Sequence, residues 1–263
     1  EDRWEQPDLN EHRVGVVKHT ETVLEHVRTQ IREAEVAVEV ALTAEQFESL
    51  RTDLKAAAER DVIIHVAVYY EPDLAERSEE WDLSAPNLEM RVVKIPGPFL
   101  AVLDRSRTYF APNSRAGESY GILINDNILS FINHWYFQTC LWYSWEPLSS
   151  NQRLPKTYIS LKEFIRDISD VYHGGATVAV TIDGLDVETR EFRTVTGTVA
   201  NIYYPDIFVN HSPSLERLST YSVVWLDAET EELSIGGWGA VFEDIEAQKI
   251  TLEAISFDGV DQS

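Results

Sequence analysis

Two stretches decide the architecture: residues 36–42, VAVEVAL, and residues 62–70, VIIHVAVYY. The second is a near-continuous β-rich apolar run, as expected of a strand buried on both faces. The first alternates and reads as a strand as well. Between them Phe47, Leu50, Leu54, Ala57 and Ala58 recur at helical spacing and predict a helix over about 44–60. Ahead of them Val16, Thr20, Val23, Leu24, Val27, Ile31 and Ala34 do the same and predict a long amphipathic helix over 16–34. Helix, strand, helix, strand is the order of an α/β sheet with parallel pairing.

Working outward, short strands are expected at 88–94, 99–103, 108–111 and 120–124, and residues 1–15 are polar and irregular. Asp126 or Asn127 can cap a helix running to about Trp145, crowded with Phe131, Trp135, Tyr136, Phe137, Trp142 and Tyr143. Residues 146–157, EPLSSNQRLPKT, read as a linker. Ser160 and Glu163 form an S-x-x-E capping box, and His173-Gly174-Gly175 closes the helix that it opens. Beyond Gly175 the pattern is all strand, with Asp183-Gly184 as a hairpin signal and further strands at 192–204, 222–226, 233–235 and 249–255. The expected organisation is an irregular segment 1–15, an α/β domain of mixed sheet and helices at 16–150, and a small antiparallel all-β domain at 158–263.

The chain has 263 residues, 45 Asp+Glu, 22 Lys+Arg and a net charge of -23, yet 44% of it is hydrophobic. A core forms against strong self-repulsion, and phosphate neutralisation by a general basic surface is excluded. Few of the cations are lysine. An acid-rich, lysine-poor chain of ordinary hydrophobicity reads as a cytoplasmic protein of a high-salt organism, where a Debye length of about 3 Å at molar salt screens the carboxylates. One cysteine, Cys140, excludes an internal disulfide and any multi-cysteine metal site. No apolar run approaches the roughly 20 residues of a membrane span, and no signal peptide is present. The chain starts at Glu1 and its only Met is Met90, so a preceding segment is expected.

The enzyme motifs G-x-S-x-G, P-loop, H-E-x-x-H and C-x-x-C are all absent. His19 and His26 stand two helical turns apart, too far to share a metal, and His65 reads as a core histidine. With so many acids, spacing alone nominates no glycosidase pair. The first half nonetheless resembles the phospholipase D and nuclease fold. That family's site is His-x-Lys-x4-Asp followed by Gly-Ser-x-Asn. In GPFLAVLD, counting back from Asp104 places Gly97 at the His position and Phe99 at the Lys position, and the later stretch reads Ala-Pro-Asn113-Ser114. Nucleophile and phosphate-binding cation are both missing, which leaves a scaffold without its chemistry. A degenerate phosphodiesterase or glycoside-processing enzyme is the alternative reading; a pure protein–protein module is a third.

The most specific segment is residues 234–247, SIGGWGAVFEDIEA. Its glycines permit positive φ and close backbone approach. Trp238 offers a face for the apolar side of a pyranose, and Glu243 accepts hydroxyl hydrogen bonds. No Lys or Arg lies within it, so it is not a phosphate cradle. Together with PGPFLAVLD, YGILINDNILSFINHWYF, SLKEFIRDI and VTIDGLDVETREFRTVTGTV in the same order, it makes residues 16–255 resemble the effector region of the TrmB family of archaeal sugar-responsive transcriptional regulators.

That resemblance implies a non-catalytic sensor without cofactor or metal. It implies a neutral mono- or disaccharide held by Gly237, Trp238, Val241 and Glu243, with a further contact near Ser222. DNA would be bound only through a winged-helix domain preceding this chain, and no membrane is involved. A homodimer is expected through the first helix, where Val16, Val23 and Val27 with Thr20, Leu24 and Ile31 give a/d-like spacing.

Overall fold

A computed structural model describes residues 13–85, 87–113, 119–149, 154–205, 207, 213–218, 220–229 and 231–257. They divide into two compact units, Glu1–Asn151 and Gln152–Ser263.

The first unit is α/β. An eight-stranded sheet has the order β1-β7-β6-β5-β2-β3-β4-β8. Its centre is β2 (Ala37–Leu42) and β3 (Ile63–Tyr69), every residue of which is buried. β2, β3 and β4 (Leu88–Val93) pair in parallel. The other pairs are antiparallel: β5 (Phe99–Leu103) on β2, then β6 (Arg107–Ala111), β7 (Gly121–Asn125) and β1 (Val14–Val17), with β8 (Pro147–Ser149) on β4. α1 (Thr20–Glu33) and α2 (Ala44–Ala58) cover one face. α2 opens with a capping box, Thr43 and Gln46 each satisfying the other's backbone N–H. α1 ends on Arg60, whose Nη2 donates to the carbonyls of Ile31, Arg32 and Ala34, filling the acceptors that a helix C-terminus leaves unpaired. A short α3 (Leu74–Ser78) follows β3.

The other face is covered by α4 (Asn127–Tyr136), capped by Asp126, and by a π-helical turn, Phe137–Trp142. The wider turn sets Phe137, Leu141 and Trp142 together against Ala41, Ala67, Leu100 and Val102. It also brings Gln138 beneath His134, and both bind the buried Glu39 of β2. Nδ1 of His134 lies 2.7 Å from Oε2 of Glu39, and Nε2 of Gln138 donates to Oε1. His65 stacks on Trp142 with ring centroids 4.3 Å apart.

The second unit is a β-barrel carrying one long helix. α5 (Leu161–His173) is capped by Ser160, which accepts from the Glu163 N–H. β10 (Ala176–Asp186) pairs with β11 (Phe192–Tyr203) on one side and β14 (Ile245–Phe257) on the other. β12 (Val223–Ala228) and β13 (Glu232–Gly236) complete the ring, and β9 (Lys156–Tyr158) adds to β14. Val178, Val180, Ile182, Leu226, Ile235 and Ile250 fill the interior. All pairs are antiparallel except β13 with β14, joined in parallel at Ile235–Ile245 and Gly236–Glu246.

Four expectations are corrected. Val16 and Val17 belong to an edge strand, not to the first helix, because they pair with Ile122 and Gly121 of β7. Val23, Val27 and Ile31 are fully buried in the protein's own core, so this stripe is not available as a dimer seam. Residues 147–149, within the expected linker, and 156–158, across its end, are short strands on β4 and β14. Asp183-Gly184 makes no turn. β10 runs straight through it, and the hairpin closes at residues 187–191, with Arg190 at φ 62°. Gly184 sits at a register shift, where a Cβ would lie 2.5 Å from the Glu246 carbonyl oxygen. The glycine is there for close strand approach at a bulge. Gly184→Val should therefore cost about 1–3 kcal/mol, the range of overpacked cores, read as a lowered denaturation midpoint.

Among the described residues no helix is long and apolar enough to cross a membrane.

Candidate ligand site

The turn that leaves β13 crosses over residues 237–244 before β14 begins at Ile245. Gly236 starts it without a side chain for a concrete reason: a Cβ there would stand 2.5 Å from that of Ala240 and 2.8 Å from the Glu243 carboxylate. The absence of that methyl lets the Glu243 carboxylate lie directly on the backbone of the turn. Ala240 N–H donates to the Gly237 carbonyl at 3.0 Å, and Gly239 takes φ +83°. Leu161, the first residue of α5, supports Gly237 from below.

The three acids that follow have separate tasks. Asp244 accepts from both the N–H and the hydroxyl of Ser234, at 2.8 and 2.6 Å, and tethers the end of the turn to β13. Glu246 accepts the Gly239 N–H at 3.1 Å and pairs with Arg190 at 2.9 Å. Glu243, buried, accepts the Phe242 N–H at 3.2 Å and the Tyr221 hydroxyl hydrogen bond. Burial, then the charge and hydrogen bond of Glu243, push the Tyr221 phenol up from its ordinary value. The Tyr221 ring lies 6.1 Å from that of Tyr203.

Glu243 is thus brought together with the Gly236–Gly237 backbone and, through Tyr221, with the start of β12. Ser222 is buried beside Tyr221, two residues before Val224, which pairs with Ile235. Trp238 is half-buried. Val241 is 67% exposed and its neighbour Phe242 88% exposed. Tyr203, Tyr221 and Phe242 went unseen at the level of sequence. The signal for Tyr221 was its position next to Ser222.

In the first unit, the positions matching the nuclease motif are occupied by structure. A Cβ on Gly97 would meet the Tyr69 hydroxyl oxygen at 2.4 Å, so the tyrosine fills the space of the missing histidine. Its hydroxyl donates to the Pro98 carbonyl at 2.6 Å, and burial pushes its pKa up. Phe99 is fully buried. Asp104 accepts the backbone N–H groups of Glu35, Val36 and Ala37 at 3.0, 2.8 and 3.0 Å and is spent on anchoring β2. Asn113 donates to the Gly97 carbonyl and accepts from Gln46. Ser114 lies outside the described residues. No group of three or more His, Cys, Asp or Glu among the described residues is placed to hold a metal.

Two family models match this chain. Residues 13–149 match the N-terminal subdomain of the EBD, the effector region, of the transcriptional regulator TrmB, and residues 153–255 match the C-terminal subdomain of the TrmB/TrmBL1 EBD. The chain belongs to the TrmB family. Its members are transcriptional regulators, and these two subdomains are the sensing part. No curated protein matched in sequence.

Among solved structures the TrmB-family chain is similar to TrmBL2, described as an archaeal chromatin protein with a novel mode of DNA binding. The identity is 18%, the TM-score 0.46, and the match covers 55% of this chain and 56% of that one. NucT from Helicobacter pylori is similar at 13% identity and TM-score 0.39, over 49% of this chain and 94% of that one. Nuc from Salmonella typhimurium, a phospholipase D family member, is similar at 16% and 0.38, over 52% and 97%.

Proposed function

We propose that this chain is a sugar-sensing effector region. A neutral mono- or disaccharide binds at the turn 237–243, and its occupancy changes DNA binding by a winged-helix domain joined ahead of residue 1. The protein acts in the cytoplasm, and the chain itself catalyses nothing. The observation that carries this reading is Glu243: a buried carboxylate laid on a glycine turn, beside Tyr221, with no Lys or Arg in residues 236–243. Such a carboxylate accepts two hydroxyl groups of one ring and repels phosphate. Trp238 and Tyr221 supply rings for the C–H face of a pyranose, as in apolar pockets with few convergent polar groups.

The sugar contacts proposed are the Gly237 backbone, Trp238, Val241, Glu243 and Ser222. Tyr221 joins them as the group that holds the Glu243 carboxylate. For occupancy to reach the DNA-binding domain, sugar must favour one arrangement of the protein over another. Titration calorimetry at molar KCl against a panel of neutral mono- and disaccharides should give saturable heat with at least one. Silence across the whole panel overturns the reading. Hydrolysis of a chromogenic phosphodiester or glycoside is not expected, since Tyr69 stands where the nucleophile would project and Asp104 is committed to β2.

A further inference from the structure

The turn at residues 237–243 is gripped twice by the hairpin that joins β10 to β11. At its end the Val187 N–H donates to the Asp244 carbonyl at 2.9 Å. At its middle the hairpin reaches it through one side chain. Nη1 of Arg190 donates to Oε2 of Glu246 at 2.9 Å, while Oε1 of the same carboxylate accepts the Gly239 N–H at 3.1 Å. The Glu246 carboxylate is buried and the Arg190 side chain is 56% exposed. A buried carboxylate is tolerated only with a partner cation, so Arg190 is what keeps Glu246 beneath the turn.

The backbone of Arg190 makes the same point. Its φ of 62° is left-handed, where hairpins ordinarily carry Gly or Asn. The hairpin closes without its side chain. The Arg190 N–H donates to the Asp186 carbonyl at 2.8 Å, the Asp186 N–H to the Glu191 carbonyl at 2.9 Å, and Oδ1 of Asp186 accepts the Glu188 and Thr189 N–H groups. Among the described residues Glu246 is the one polar partner of the Arg190 side chain. A residue that strains its own hairpin and does nothing to close it is accounted for by what its side chain does elsewhere.

We propose that Arg190 is a positioning residue of the sugar site. Through Glu246 it holds Gly239, and so the turn, in the arrangement that presents the Gly237 backbone and Glu243 to the sugar. It acts on the turn and not on the sugar. Gly237 and Gly239 leave the released turn many conformations, and affinity falls by the fraction of molecules in which the turn is out of place. The inference rests on the reading of this turn as the sugar site.

Arg190→Gly tests it, because glycine accepts this φ without strain: the hairpin and the melting temperature should be kept or improved while the cation is lost. Titration calorimetry at molar KCl, with glucose, sucrose and maltose as probes, should show affinity about tenfold weaker than wild type. That is the factor expected when the competent fraction falls to about one in ten. In the sugar-free variant the Gly239 amide, followed by NMR hydrogen exchange, should lose its protection. Arg190→Gly/Glu246→Gln should recover most of both, since a neutral amide needs no cation and its oxygen still accepts the Gly239 N–H. A general weakening of the fold would not be repaired by that second change. Wild-type affinity or wild-type Gly239 protection in Arg190→Gly overturns the proposal, as does a loss that the double variant fails to recover. Arg190→Gln, with the same expectations, replaces Arg190→Gly should the latter fold poorly. A wild-type protein that binds none of the sugars sinks the sugar reading instead, and the exchange of Gly239 alone then decides whether Arg190 holds the turn.

Discussion

Alanine at Glu39 is expected to remove about 3–5 kcal/mol of folding free energy, the cost of leaving two buried polar groups without their partner and a cavity in their midst. Glu39 stands mid-strand in β2, and its two carboxylate oxygens hold His134 and Gln138, both buried. Truncation leaves the Nδ1 of His134 and the amide of Gln138 facing an apolar strand, each unsatisfied group costing about 1–3 kcal/mol. A cavity adds to this. The loss should appear as a lower midpoint in guanidinium, with the slope unchanged. Two further variants separate the cause. Glu39→Gln, which keeps an acceptor and the volume, should lose less. The triple change Glu39→Leu/His134→Leu/Gln138→Leu should recover much of the stability, because removing all three partners abolishes the unmet hydrogen bonds. A loss below about 1 kcal/mol for Glu39→Ala would mean that the cluster is wetter than its burial implies.

How far the sequence reveals such features depends on whether their cause is local. The residues of β2 and β3 were legible because strands buried on both faces write a continuous apolar run. The stripe of α1 was legible as helix, but not its destination: a/d-like spacing serves a partner helix and an underlying sheet equally well. β1 was hidden because Val16 also fits the helical period, and only pairing with β7 makes it a strand. The edge strands in the expected linker depend in the same way on distant partners. Asp183-Gly184 has the residues of a tight turn, yet a bulge asks for the same glycine, and only the Glu246 backbone opposite distinguishes the two. The π-helical turn, which sets Gln138 under Glu39, has no sequence signature. At the ligand site the glycines and Glu243 stood out by type. The tasks of Asp244 and Glu246 did not, since Ser234 and Arg190 reach them only in the fold.

The second large effect concerns that site. If sugar is held at the turn, Glu243→Gln should weaken its binding roughly 10- to 100-fold. The figure follows from the charge-assisted hydrogen bonds that a carboxylate makes to hydroxyls, about 1.5–3 kcal/mol in all. Glutamine retains the volume beneath Gly236 and an oxygen for the Phe242 N–H, so stability should hardly change. What it loses is acceptor capacity: one end of the amide now donates, and Tyr221 competes with the sugar for the remaining oxygen. Tyr221→Phe should have a smaller effect of the same sign, since it frees a carboxylate oxygen while loosening the carboxylate's position. Trp238→Ala should weaken binding without touching the carboxylate, and its loss should add to that of Glu243→Gln if ring stacking and hydroxyl acceptance are independent. Calorimetric titration of the three variants and the double mutant measures all of this in one series. Wild-type affinity in Glu243→Gln, with the protein folded and saturable heat from the same sugar, would place the binding site elsewhere in the chain.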